Sequence, residues 1–199
     1  MTLQIVVPGT FTAPGLPDLG ILGFTDTFAR ADSDALGGTE KPKRPWLIWS
    51  AQPAVQAIVN QEAMVARSGT AGPCAAVADA RTADGTVEVT LGFISGGQSG
   101  IVFRGASDGN YMRFAQNGGL YRLYKMVGNS ATALGDTTGI VPAVGDVIRV
   151  DFHGDQIDCY VNGTKRLTVT DSTHADATYC GFYNAGTSVN SIRDVRVTG

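Results

Sequence analysis

Asp151 and Asp158 flank the dipeptide Gly154-Asp155 at equal spacing, in a run that alternates apolar and polar residues. If Gly154-Asp155 is a two-residue turn, the two carboxylates face each other on adjacent antiparallel strands. Paired carboxylates serve both hydrolysis and hard-cation binding. Asp151 and Asp158 are therefore the candidates for a metal site, with Ca2+ the one cofactor that the pair admits. The alternative is structural, with Arg149 or the Tyr/Arg face of another strand neutralising them. A second turn, at Asn117-Gly118, brings Tyr111, Arg113, Arg122 and Tyr124 onto one face of a hairpin. Aromatic rings stack on sugar faces, and guanidinium forks hold hydroxyls, carboxylates or partner backbones. These four residues are the candidate ligand-binding face, for a glycan or a protein partner. Here too the alternative is structural, a solvated sheet face with extended arginines.

No other motif completes a catalytic or metal set. Gly97-Gln98-Ser99-Gly100-Ile101 lacks the second glycine that frames a nucleophilic serine. His153 and His174, the only histidines, sit in no metal-spaced cluster and read as turn or surface residues. Cys74, Cys159 and Cys180 are an odd number without C-x-x-C spacing, and read as buried free thiols. Gly96-Gly97 and Gly118-Gly119 read as turns, because a phosphate loop needs a following helix. No catalytic residue is named, and the chain is expected not to be an enzyme.

The elements that must position these residues are strands. Among 199 residues there are 26 Gly and only three Glu, at 40, 62 and 88, which suits short strands and tight turns and not long helices. A net charge of -3 gives no cationic field for nucleic acid or an anionic membrane. The opening MTLQIVVPGT has no Lys or Arg before an apolar run that ends at Pro8, so neither a signal peptide nor a membrane span is expected there. Residues 1–24 read as a Pro/Gly-rich arm or linker containing a short strand, Gln4 to Val7, and residues 25–199 as one domain.

The meander from Val147 to Val169 pairs Phe152 with Ile157, Val150 with Cys159 and Ile148 with Val161 on an apolar face. A two-residue turn at Asn162-Gly163 would put the next strand out of phase, so a loop one residue longer is expected there; a bulge would restore the phase equally. Around Asn117-Gly118 the expected core pairs are Met112 with Leu123 and Phe114 with Tyr121, which set Tyr111 beside Tyr124 and Arg113 beside Arg122. Further strands are expected at Trp46 to Ser50, Val55 to Val59, Thr86 to Ile94, Gly100 to Arg104, Tyr179 to Asn184 and Ser191 to Thr198. A dozen or so strands imply two packed sheets. Trp46 and Trp49 fall on opposite faces, one in the core and the other free to lie on a contact surface.

Asp26, Phe28, Arg30, Asp32, Ser33, Leu36 and Gly37 resemble the D-x-F-x-R-x-D-S-x-x-L-G opening of concanavalin-like lectin/glucanase (laminin-G-like) modules. Gly100 to Arg104 with Asn110 to Arg113, Leu120 to Lys125, Ile148 to Val150, Val161 to Gly163 and Thr170 to Ser172 match its later strands in order. The resemblance departs at Trp46 to Met64, where the family's G-x-W turn is replaced. It implies an all-β, two-sheet antiparallel jelly-roll sandwich. Glucanases of that fold carry E-x-D-x-E or E-x-D-x-x-E on one strand, and Glu40, Glu62 and Glu88 begin no such pattern. Modules of this kind behind a Pro/Gly arm resemble minor tail or decoration proteins of actinobacterial tailed phages. That resemblance implies a virion structural protein made in the host cytoplasm, assembled as a homo-oligomer with other virion proteins through its arm, and contacting host-surface glycan. The alternatives are a freestanding carbohydrate-binding module and a glycoside hydrolase of the same fold.

Overall fold

Gly154 adopts φ 58° and closes a tight hairpin in which Ile148 pairs with Val161, Val150 with Cys159 and Phe152 with Ile157. This is the register the apolar alternation demands. It sits within a computed structural model that describes residues 20–50, 54–67, 72–185 and 190–199. The proposed strand Gln4 to Val7 and most of the proposed arm lie outside those residues.

The described residues contain fifteen strands and no helix. In chain order these are β1 (Phe24–Asp26), β2 (Leu47–Trp49), β3 (Ala54–Val59), β4 (Glu62–Arg67), β5 (Pro73–Asp79), β6 (Gly85–Leu91), β7 (Gln98–Ser107) and β8 (Asn110–Asn117). They continue with β9 (Leu120–Val127), β10 (Ser130–Asp136), β11 (Val147–His153), β12 (Gln156–Val161), β13 (Thr164–Thr170), β14 (Tyr179–Ala185) and β15 (Ile192–Thr198). An eight-stranded sheet runs β13-β12-β11-β6-β15-β4-β3, with β1 also on β15. A seven-stranded sheet runs β10-β9-β8-β7-β14-β5-β2. Every pairing is antiparallel. The fold is an all-β sandwich whose inner faces meet in one apolar core that includes Phe103, Phe114, Leu123, Val150, Phe152 and Phe182. Cys74, Cys159 and Cys180 are buried free thiols. Burial raises the Cys159 thiol well above its usual range and pushes Cys180 up to about 12.

Two expected registers are corrected. Asn162 (φ 50°) and Gly163 (φ 75°) form a two-residue turn closing Val161 on Thr164, and the phase is restored by a bulge between Cys159 and Tyr160, not by a longer loop. Asn-Gly is best suited to the two-residue turn, and the spare residue, Arg166, is exposed on an edge strand where a bulge is cheap. In the β8–β9 hairpin the turn is Gly118-Gly119 (φ 61° and 89°), so Phe114 pairs with Leu123 and Arg113 with Tyr124. Two glycines adopt positive φ without the strain Asn117 would bear. The slide keeps every residue on its expected face but removes the Arg113–Arg122 opposition, and the like-charge penalty with it.

Polar ties cross the sandwich. The Tyr121 hydroxyl, on β9, donates to Asp146, which also accepts from Asn162 Nδ2 at 2.8 Å and the Ala143 amide at 2.9 Å. Burial pushes the Asp146 carboxyl up, but these hydrogen bonds outweigh it and hold the group below the ordinary carboxylate range. A depressed folded-state pKa contributes stability that is complete above the unfolded value, about 3.9, and is lost as pH falls through the lower folded value. Asp158 and Asp171 are depressed as well. Thermal stability is therefore expected to fall on acidification below about pH 4, and less steeply in Asp146→Asn. An equal pH slope in that variant would show that the tie contributes nothing. Tyr121→Phe is expected to cost about 1.5–3 kcal/mol in urea unfolding, because it removes a buried hydrogen bond to a charged acceptor.

Candidate functional site

The outer face of the seven-stranded sheet is organised as two cross-strand rows. The first runs Trp49, Ala75, Tyr183, Gly100, Ala115, Arg122, Asp136. The second runs Leu47, Val77, Gly181, Val102, Arg113, Tyr124, Ala133. Ala75, Gly100 and Ala115 in the first row and Gly181 in the second are small, so the long side chains beside them can lie down across the sheet. Tyr111, Arg113, Arg122 and Tyr124 all project from this face, as their parity along β8 and β9 requires.

The Arg113 guanidinium lies between two rings, 4.4 Å from the centroid of Tyr183 and 4.6 Å from that of Tyr124. It donates to the Tyr183 hydroxyl. Arg122 sits 6.0 Å from the Tyr124 ring centroid, and its Nη1 reaches the Tyr124 oxygen at 3.5 Å. Asn117 Nδ2 donates to the same oxygen at 2.5 Å. Arg122 is also ion-paired to Asp136 at 3.3 Å. The result is an alternating ladder of Tyr183, Arg113, Tyr124 and Arg122 across β14, β8 and β9.

Three of the four residues picked out in the sequence lie deeper than a wet face implies. Tyr111, Arg113 and Tyr124 are 3%, 6% and 9% exposed, whereas Arg122 is half-buried. The cause is a second apolar cluster on this side of the sheet, in which Ala75, Val77, Val102, Tyr111, Ala115, Met126 and Tyr183 pack together with Trp49 and Tyr179 against them. Burial raises the Tyr111 hydroxyl far above its usual value, so the ring stays neutral. Tyr183 and Tyr179 belong to the face and were not singled out from sequence, and Trp49 joins them there. Tyr183 could have been found from the i, i+2, i+4 spacing of Tyr179, Gly181 and Tyr183 on β14.

Trp46 and Trp49 separate as their spacing requires. Trp46 is in the core, donating from Nε1 to Asp26 at 2.8 Å, and Trp49 is half-buried on the outer face. Its ring lies 5.5 Å from that of Tyr179, inclined at 54°, and directly over Gly105, where an added Cβ would come within 2.8 Å of the indole. Two hollows flank Tyr179, one of about 500 Å³ bordered by Gly105, His174 and Thr178, the other of about 230 Å³ bordered by Arg44, Asp79 and Arg81.

Asp151 and Asp158 do face each other across β11 and β12. Each carboxylate has its own partners. Asp151 accepts from Thr86 at 3.0 Å and pairs with Arg149, which lies 3.9 Å from the Tyr160 ring centroid. Asp158 accepts from Thr168 at 2.5 Å, Lys165 at 2.9 Å and Gln156 at 3.0 Å, and these bonds, Thr168 first, hold it below the usual carboxylate range. Among the described residues no three His, Cys, Asp or Glu side chains cluster as a metal site. His174 Nε2 contacts the Met126 carbonyl oxygen at 2.9 Å and His153 is exposed. A larger groove, about 670 Å³, lies beside β15 and is lined by Thr27, Asn60, Glu62, Arg193 and Arg196. The Glu62 carboxylate there is already held by Ser191 and Arg193.

No protein-family model and no curated protein matches the chain. Solved structures do. A carbohydrate-binding module, CBM66, from Bacillus subtilis superposes with a TM-score of 0.52 at 14% identity, covering 89% of this chain and 97% of that one. A laminarinase from Flavobacterium sp. UMI-01 gives 0.57 at 8% identity, covering 89% and 100%. A Bacillus subtilis protein of unknown function with a galectin-like fold gives 0.56 at 12% identity, covering 77% and 88%. Binding modules and enzymes thus share the architecture, and at these identities the likeness speaks to fold alone. By fold, the chain is a jelly-roll β-sandwich of galectin-like, concanavalin-like architecture.

Proposed function

We propose that this chain is a non-catalytic glycan-contacting module, with the outer face of the seven-stranded sheet as its contact surface. The observation that carries this reading is the ladder of Tyr183, Arg113, Tyr124 and Arg122, continued at the other end of the face by Trp49 and Tyr179. Half-buried Trp49 and Tyr179 supply the accessible ring surfaces, and Arg122 with Asn117 supplies donors at the other edge, held in place by the buried Tyr183, Arg113 and Tyr124. Binding is favoured over hydrolysis because the carboxylates of Glu40 and Glu62 are engaged by neighbouring side chains and Glu88 stands opposite Arg149. Glycan-array screening followed by calorimetry tests the reading. Arg122→Ala, at a half-buried position, is expected to weaken binding at least about tenfold, roughly 1.4 kcal/mol, while the loss of its solvent-accessible pair with Asp136 lowers stability by no more than about 1 kcal/mol. Unchanged affinity would remove this face, and turnover of a polysaccharide panel by the wild type would overturn the non-catalytic assignment.

The module's setting is proposed to be a tailed-phage virion, as a minor tail or decoration protein that is homo-oligomeric and tethered through residues 1–24. Support for this is the D-x-F-x-R-x-D-S-x-x-L-G opening behind a Pro/Gly-rich segment. A chain starting at Gly20 is expected to fold but fail to incorporate into particles. Full incorporation would leave the freestanding carbohydrate-binding module as the better description.

A further inference from the structure

Three cations among the described residues are buried: Arg44, Arg104 and Arg113. Arg44 donates to the carbonyls of Asp79 and Ile21, and Arg104 to those of Asp171 and Gly154. Arg113 has neither a carboxylate nor a carbonyl. Its partners are the faces of two tyrosines and one phenol oxygen, and its Nε has none. More open cations elsewhere are ion-paired, as Lys125 is to Asp171, Lys165 to Asp158 and Arg193 to Glu62. A buried guanidinium whose charge is met by two ring quadrupoles and one neutral phenol oxygen is the kind of group that gains most from an added anion.

The surroundings point the same way. Around the Tyr124 hydroxyl stand Asn117 Nδ2 and Arg122 Nη1, both donors, and Arg113 lies on the ring face. The one carboxylate on this stretch is Asp136, half-buried and paired at 3.3 Å to the outer side of Arg122. The edge is therefore rich in donors and poor in acceptors. A neutral sugar hydroxyl both donates and accepts and does not need such an arrangement, whereas the oxygens of a carboxylate or phosphate only accept.

We propose that this face selects saccharides carrying an anion, a carboxylate or a phosphate, received between Arg113 and Arg122 beside the Tyr124 ring. The inference rests on the glycan-contacting reading above and narrows its ligand class. A calorimetric titration of the full chain with trigalacturonate, with a glycerol-phosphate oligomer and with neutral galactotriose separates the two anion sources from each other and from neutral sugar. At least one of the two anionic probes is expected to bind about tenfold or more tighter than galactotriose. That advantage should shrink on raising salt and disappear in Arg122→Gln. Arg113→Lys, which keeps the buried charge but not the planar fork, should retain the fold by circular dichroism and lose part of the preference. Galactotriose bound as tightly as the acids, with Arg122→Gln changing both alike, would overturn the anion preference and leave the glycan reading standing. If the glycan array also gives no ligand, neutral or acidic, that reading falls with it.

Discussion

Arg104→Ala is expected to destabilise the domain by about 3–5 kcal/mol, read as a fall in the urea midpoint at unchanged slope. Arg104 lies on β7 with 0% exposure and φ 46°, at an irregularity between Phe103 and Ser107 that turns its side chain inward. The guanidinium donates to the Asp171 carbonyl at 2.9 Å and the Gly154 carbonyl at 2.5 Å, and sits 5.6 Å from the Phe152 ring centroid. Its anchor is on one sheet and its partners belong to turns of the other. Alanine would strand two carbonyls, at about 1–3 kcal/mol each, and leave a cavity, offset in part by relief from burying a charge. Burial already pulls the Arg104 pKa down, against the pull of Asp84, Asp171 and Asp155. Arg104→Met, which fills the space without donors, should fall between wild type and alanine. A loss under about 1 kcal/mol for the alanine variant would mean that water replaces the guanidinium and the tie is dispensable.

Asp26→Ala is the second large effect, about 3–5 kcal/mol, because it strands the buried indole N–H of Trp46 and the amide of Phe28 and removes the partner of the half-buried Arg30. The Asp26 carboxylate, 0% exposed, accepts from Arg30 at 2.6 and 3.0 Å, from Trp46 Nε1 at 2.8 Å and from the Phe28 amide at 3.0 Å. Arg30 in turn donates to the Leu36 carbonyl at 2.8 Å. Phe28, fully buried, is held at φ 53°, a left-handed conformation that costs an aromatic residue about 1–2 kcal/mol unless its surroundings impose it. One carboxylate thus fixes the strained turn, the inward swing of Phe28 and the indole of Trp46 together. Asp26→Asn keeps an acceptor but not the charge and should lose less than alanine. Equal losses would locate the effect in the carboxylate charge alone.

These two residues also explain what the resemblance could and could not reveal. The D-x-F-x-R string and the run Gly100 to Arg104 were legible because they are structural devices, the Asp26–Arg30 latch and the Arg104 tie, and so they identified the architecture and not a ligand. Strands marked by glycine turns and strict alternation, β11 and β12 above all, were legible to the residue pair. β5 was not: Cys74 to Ala78 is buried on both faces, by the core on one side and the outer cluster on the other, so no alternation survives. The hairpin between β3 and β4 was hidden by its turn, since Asn60 and Gln61 take φ 50° and 63° without a glycine to announce it. β10 is an edge strand with few strong β-formers. On the outer face the membership of Tyr111, Arg113, Arg122 and Tyr124 followed from parity. Their depth did not, because Tyr183 and Trp49 arrive from strands far away in the chain.

The chain has two tryptophans, and the fold assigns them to different compartments. Trp46 is enclosed with Phe24, Phe28 and Phe182 and tied to Asp26, so its emission tracks global unfolding and is blind to anything outside. Trp49, packed against Tyr179 and Tyr111 on the outer face of the seven-stranded sheet, is the fluorophore that a molecule bound on that face would quench or shift. The protein thus carries a pair of built-in optical reporters, one for integrity and one for occupancy, that a single Trp46→Phe or Trp49→Phe exchange would resolve.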